Sequence, residues 1–147
     1  MTLRILVADD SITIQKIVAM AFANEDVEVE GIGNGKEAFD KIPDFKPDIV
    51  LADVDMPGLN GFELSQKIKS TPDLSYIKVL LLASDFEDFD EAQFKKCLAE
   101  NHISKPFKSD NIVQMVKRVM ESDSAVENEP VLSESIFEEK VELDEEP

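Results

Sequence analysis

Pro47-Asp-Ile-Val-Leu-Ala-Asp53-Val-Asp-Met-Pro57-Gly-Leu-Asn60-Gly61 reads as a short apolar strand that ends on a carboxylate and enters a turn rich in Pro and Gly. A run this short and this apolar is expected of a strand covered on both faces, as in a parallel sheet. A second such run, Leu3 to Ala8, ends on the pair Asp9-Asp10. If the two strands are parallel neighbours, three carboxylates converge at one sheet edge, where they can share a divalent cation.

Working outward, residues 1–121 alternate between short apolar runs and helical periods, the pattern of βα units around a parallel sheet. The strand candidates are Leu3–Ala8, Val27–Gly31, Ile49–Ala52, Lys78–Ala83 and His102–Ser104. Ile14, Ile17, Val18 and Ala21 share one helical face, and Ile112, Val116 and Val119 share another. Gly33-Asn-Gly35 punctuates the exit from the second strand, Pro43 is expected to stop the second helix, and Pro72 separates the third helix from the fourth strand. Right-handed crossovers then give an α/β fold, a doubly wound five-stranded parallel sheet in the order 2-1-3-4-5 with helices on both faces. In that order the first and third strands are neighbours at the topological switch point, where ligands bind beyond the strands' carboxyl ends.

The formal net charge of the 147 residues is −17. Residues 122–147 hold ten acidic residues and Lys140 alone, a balance of −9 that leaves −8 for residues 1–121. Such a field repels nucleic acid and anionic membranes, so direct nucleic-acid binding is not expected. The single Cys97 cannot form an internal disulfide, and no apolar run approaches the length of a membrane span. Met1-Thr-Leu-Arg leads straight into a strand rather than a signal peptide, which makes a cytoplasmic protein the economical expectation. From residue 122 the pattern breaks into Ser, Glu, Asp and Pro with scattered apolar residues, read as an acidic linker or docking tail. Ser135-Ile-Phe-Glu138 has capping-box spacing, so a short helix near 136–143 is compatible with it.

Asp9, Asp10, Asp53, Ser84 and Lys105 each fall at or just past the end of an expected strand. Mg²⁺ takes oxygen ligands, usually one or two carboxylates with waters and a phosphate. Asp10 and Asp53 can supply the carboxylates, with Asp9 holding a water and the Asp55 backbone carbonyl completing the set. A carboxylate so placed can act as nucleophile and accept a phosphoryl group, giving an aspartyl phosphate. Such transfer depends on positioning and on stabilising the equatorial oxygens, a task for the cation, the Lys105 ammonium and the Ser84 hydroxyl.

Taken together, Asp9-Asp10, the stretch Asp53-x-x-Met56-Pro57-x-x-Asn60-Gly61, Ser84 after an apolar strand, and Lys105-Pro106 resemble the receiver domains of two-component response regulators. The resemblance covers residues 1–121 and says nothing about residues 122–147. It implies a flavodoxin-like fold and phosphorylation of Asp53, with Mg²⁺, by a sensor histidine kinase, a phosphotransfer protein or a small phosphodonor. It also implies a switch in which Ser84 moves onto the phosphate and shifts the face made by the fourth helix, fifth strand and fifth helix. Partners implied are a downstream protein or an output domain outside this chain, and a homodimer through the same face. On this reading the chain is not an enzyme beyond its own phosphorylation and dephosphorylation. Most receivers carry Tyr or Phe three residues before the lysine, where this chain has His102, so His102 is either the rotating ring or a half-buried strand histidine.

Simpler roles stand beside these. Asp9-Asp10 can cap a helix, Ser84 can cap one starting near Glu87, and Lys105-Pro106 can be a turn. Asp85-Phe-Glu-Asp-Phe-Asp-Glu91 suits a solvated helix start, while Phe86, Phe89 and Phe94 suit the core and Cys97 a structural position. Asp55 and Phe86 flank the expected path of water to an acyl phosphate. Two other functions compete. A phosphorylation-independent pseudo-receiver would keep the fold without needing the acidic set. A haloacid-dehalogenase-type phosphatase shares the pattern Asp53-Val-Asp55, but carries it on the first strand and needs room for a cap.

Overall fold

A computed structural model describes residues 2–84, 90–105 and 107–128, with side chains to 121. Pro106, residues 85–89 with Phe86, Glu87 and Phe89, and the suggested helix at 136–143 lie outside the described residues. The chain alternates β1 (Leu3–Ala8), α1 (Ile12–Ala21), β2 (Val27–Ile32), α2 (Gly35–Phe45), β3 (Ile49–Asp53), α3 (Gly61–Ser70), β4 (Lys78–Ser84), α4 (Glu91–Cys97), β5 (Asn101–Lys105) and α5 (Ser109–Asn128). A 3₁₀ turn at Pro72–Leu74 joins α3 to β4, where Pro72 was expected to break the chain. The five strands are parallel in the order β2-β1-β3-β4-β5.

Alternation along the strands divides the core in two. Leu6, Ala8, Val50, Ala52, Val79 and Leu81 form one cluster with Ala38 and Ile42 of α2 and Leu64 and Ile68 of α3. Ile5, Val7, Ile49, Leu51, Leu80 and Leu82 point the other way and are equally buried, as are Ile14 and Val18 of α1 and Ile112 and Val116 of α5. All of β3 is buried, so the strand that carries Asp53 is the centre of the sheet.

Helix starts follow from local chemistry. Ser11 caps α1, Asn34 caps α2, and Asn60 with Glu63 forms a reciprocal capping box on α3. α4 begins at Glu91 on the Asp90 side chain, so the described helix does not take its cap from Ser84. Hydrogen bonds from Gln93 hold the Asp90 carboxyl below its ordinary pKa.

Two helix ends differ from expectation. Pro43 lies inside α2, which runs on to Phe45. Proline removes its own N–H and crowds the carbonyl one turn back, but past it the Lys46 N–H still reaches the Ile42 carbonyl at 2.8 Å. The helix stops instead where Lys46 turns left-handed (φ 55°), and Arg4 Nε donates to the Phe45 carbonyl at 2.6 Å. Helical backbone in α5 continues to Asn128, past the break in pattern after Glu121, because each added residue gains a backbone bond once a helix is nucleated.

Candidate functional site

Register brings the carboxylates together. Ala8 pairs with Ala52, so the next residues, Asp9 and Asp53, stand side by side on the same face of neighbouring strands. Asp10 follows in the turn, and ligand atoms of Asp9, Asp10 and Asp53 lie within 4.8 Å of one another. Asp9 and Asp53 are buried, whereas Asp10 is exposed.

Register also places the other two candidates. Asp53 pairs with Leu82, and Ser84, two residues further along β4, pairs with Lys105. Ser84 and Lys105 therefore share the face of Asp53. Lys105 Nζ lies 3.2 Å from Asp9 Oδ2 and 3.4 Å from Asp53 Oδ2. Asp53 Oδ1 accepts the Asp55 N–H at 3.2 Å, and Asp9 Oδ1 accepts the Ser11 N–H at 2.9 Å.

The loop after Asp53 is held close by absent side chains. A Cβ at Gly61 would stand 2.7 Å from the Asp53 carbonyl oxygen and 2.9 Å from that of Ala52. Only glycine lets the first turn of α3 press on the strand end that carries Asp53. Gly58 adopts φ +79° beside the Asn34 cap, and the Gly35 N–H bonds the Pro57 carbonyl at 3.0 Å, which ties this loop to α2.

Three carboxylates and one ammonium leave the cluster two charges short of neutrality when all are ionised. Burial, then the charge of Asp9, raise the Asp53 pKa to about 6, against the lowering effect of the Asp55 N–H and Lys105. Burial works against the charge on Lys105, but Asp9 and Asp53 outweigh it and raise its pKa above the ordinary value. A divalent cation fits this donor set: the ligands are carboxylate oxygens, and the uncompensated charge matches.

His102 sits apart from this group. It pairs with Leu81, on the opposite face of the sheet from Lys105, and is half-buried. Its ring meets Phe94 of α4 edge-on, with centroids 5.0 Å apart. Phe94 packs on the core cluster, and Cys97 is buried with Sγ 3.2 Å from the Phe94 carbonyl.

Sequence reasoning passed over Ser11, Gln15 and Glu63. Asn60-x-x-Glu63 carries a legible capping pattern. Gln15, whose Nε2 donates to the Asp9 carbonyl at 2.8 Å, has only one signal in the chain, the isolated Gly31 in a strand that it packs against.

Comparison with known proteins gives one family. Residues 5–117 match the response regulator receiver domain. The DNA-binding response regulator MtrA of Mycobacterium tuberculosis is 27% identical over 114 residues, covering 78% of this chain and 49% of MtrA. The response regulator VraR of Staphylococcus aureus is 32% identical over 131 residues, 88% of this chain and 62% of VraR. This chain thus spans about half the length of MtrA. Among solved structures, the chemotaxis response regulator CheY4 of Vibrio cholerae aligns with a TM-score of 0.74 and 26% identity, over 81% of this chain and 99% of that one. Motif, register and family match agree: this chain belongs to the response regulator receiver domain family.

Proposed function

We propose that Asp53 is the phosphoacceptor of this receiver and that Asp9, Asp10 and Asp53, with the Asp55 backbone carbonyl, hold Mg²⁺. The observation that carries the reading is the three-carboxylate cluster bridged by Lys105. An Asp53 carboxylate oxygen attacks the donor's phosphorus, the bond from phosphorus to the donor's leaving group breaks, and that group departs with its electron pair. Bound Mg²⁺ supplies charge neutralisation at the carboxylates and the phosphoryl oxygens. Lys105, which now faces Asp9 and Asp53, pairs with a phosphoryl oxygen, and the Ser84 hydroxyl donates to another.

Phosphorylation shifts an equilibrium only through contacts that differ between its two states, so the new bonds to Ser84 and Lys105 drive the switch. The responding surface is the α4-β5-α5 face. His102, wedged against Phe94, connects β5 to α4 there and serves as the switch ring.

The donor is a sensor histidine kinase or a phosphotransfer protein. Residues 1–121 form the receiver, with 122–147 as an acidic tail. Output passes to a protein partner or to a domain outside this chain, in keeping with its partial coverage of MtrA and VraR. The net charge of −17 argues against direct contact with nucleic acid. Among the described residues no helix is long and apolar enough to cross a membrane. A cytoplasmic location and a homodimer through the output face complete the proposal.

Intact mass after incubation with Mg²⁺ and a small phosphodonor tests it. The expected result is one hydroxylamine-labile phosphoryl adduct that disappears in Asp53→Asn. An adduct retained in that variant, or none under conditions that label a control receiver, overturns the assignment.

A further inference from the structure

Asp9 lies between the end of β1 and the start of α1, and each of its polar groups is held. Its N–H donates to the Ile32 carbonyl at 3.0 Å, Oδ1 accepts from Ser11 and Oδ2 faces Lys105. Its carbonyl, beyond the regular pairing of β1, takes the Gln15 side-chain amide at 2.8 Å. Asp9 is fully buried, so a carbonyl that lost this donor would carry a desolvation cost with no compensating bond.

Gln15 reaches the carbonyl because β2 makes room for it. Gly31 pairs with Val7 and therefore faces the α1 side of the sheet. A Cβ built there would overlap Gln15 Oε1 and stand 2.8 Å from Gln15 Cδ. Glycine inside a strand weakens it and marks a close approach, and the approaching group here is this amide.

We propose that Gln15, seated against Gly31, is a positioning residue for the cation site: by holding the Asp9 carbonyl it fixes the turn that presents Asp9 and Asp10. The proposal rests on the reading of that cluster as the receiver's Mg²⁺ site. Groups that orient a metal's ligands from behind typically change affinity by about 10- to 100-fold. One neutral hydrogen bond places Gln15 at the lower end of that range.

Gly31→Ala is the sharpest probe. The new methyl displaces the flexible end of Gln15 rather than backbone, and alanine suits a strand better than glycine. Gln15→Met keeps volume and removes the donor. In calorimetric titrations of the full chain with Mg²⁺ alone, well below the melting temperature that the lost bond lowers slightly, each variant is expected to bind about 10-fold more weakly. Gln15→Ala/Gly31→Ala should lose no more than Gln15→Ala, because both act through one contact. Amide exchange at Ser11 should quicken in the single variants.

Wild-type affinity in both single variants, additive losses in the double variant, or affinity that falls only with melting temperature would overturn the role. A wild-type chain that binds no Mg²⁺ overturns the metal-site reading instead. Unchanged Ser11 exchange in the variants then overturns the positioning contact, and faster exchange supports it.

Discussion

At the amino end of the sheet, Arg4 pairs with Glu28, donates to the Phe45 carbonyl and lies over the Phe45 ring, while its N–H bonds Asp48. Lys69 meets Glu100 and the Ile77 carbonyl at 2.7 Å each, and the other Glu100 oxygen accepts the Val79 N–H. At the carboxyl end, three carboxylates gather, and Lys105 faces two of them, Asp9 and Asp53. The first arrangement is nearer balance, two cations against three carboxylates that each accept from a cation or a backbone N–H, and it ties helices and loops to strands. The second is open by two charges, and an external cation is what would close it. Within one sheet, imbalance of charge separates the end proposed to react from the end that only holds.

Asp10→Asn gives the largest expected contrast. Asp10 is exposed, so the change leaves packing intact and relieves repulsion within the cluster. Mg²⁺ affinity should nonetheless fall by more than about 100-fold, since loss of a ligand exceeds the usual cost of an outer partner. Calorimetry reads the affinity, and urea unfolding of the metal-free protein should show equal or greater stability.

Glu100→Ala should do the reverse. It strands Lys69, whose side chain is 8% exposed and keeps its bond to the Ile77 carbonyl. Stranding a buried charge costs about 3–5 kcal/mol, and partial exposure of Glu100 lowers the expectation to about 2 kcal/mol. The urea midpoint should move accordingly, while Asp53 labelling per folded molecule stays unchanged.

Lys105→Met sharpens the comparison within the carboxylate cluster. Removing the ammonium that faces Asp9 and Asp53 should tighten Mg²⁺ a few-fold, because a competing positive charge is gone. Labelling should slow, because a phosphoryl oxygen loses its partner. Tighter binding with unimpaired labelling would remove Lys105 from the chemistry and leave it a structural counterion.

The carboxylate cluster was far more legible in the sequence than the opposite end, for a physical reason. Apolar runs fix strands and crossovers fix their order, so Asp9, Asp10, Asp53, Ser84 and Lys105 fell to one edge without any knowledge of packing. The sheet order agrees, and strand ends moved by only a residue, with Asp53 the last residue of β3 rather than the one after it. Lys69–Glu100, Arg4–Phe45 and His102–Phe94 join residues whose approach depends on how helices settle on the sheet. No local pattern records that. Pro43 misled because the hydrogen-bond ladder resumes past it, and α2 ends at Phe45 for reasons that lie in Lys46 and Arg4. Gln15 was hidden because its role is written in two places, and Gly31 alone does not say which side chain needs the space.

The effect spread most gradually over conditions is a dependence on pH that should reverse sign when Mg²⁺ is added. Folding raises the Asp53 pKa from 3.8 to about 6, so the folded state binds this proton more tightly than the unfolded state. In metal-free protein the contribution of Asp53 to stability is therefore greatest below about pH 4, declines as pH rises towards 6, and is flat above. One proton bounds the slope at about 1.4 kcal/mol per pH unit, and partial ionisation keeps it lower. Lys105, with its pKa raised, stays charged throughout this window and adds no slope. Saturating Mg²⁺ competes with the proton for the same carboxylate, so over the same interval stability should rise with pH. Urea unfolding of wild type and Asp53→Asn, between pH 4 and 7 with and without Mg²⁺, isolates the term as the difference between the two proteins. A wild-type slope that survives unchanged in Asp53→Asn would assign the proton to another group and leave the Asp53 carboxylate no more strained than those at the opposite end of the sheet.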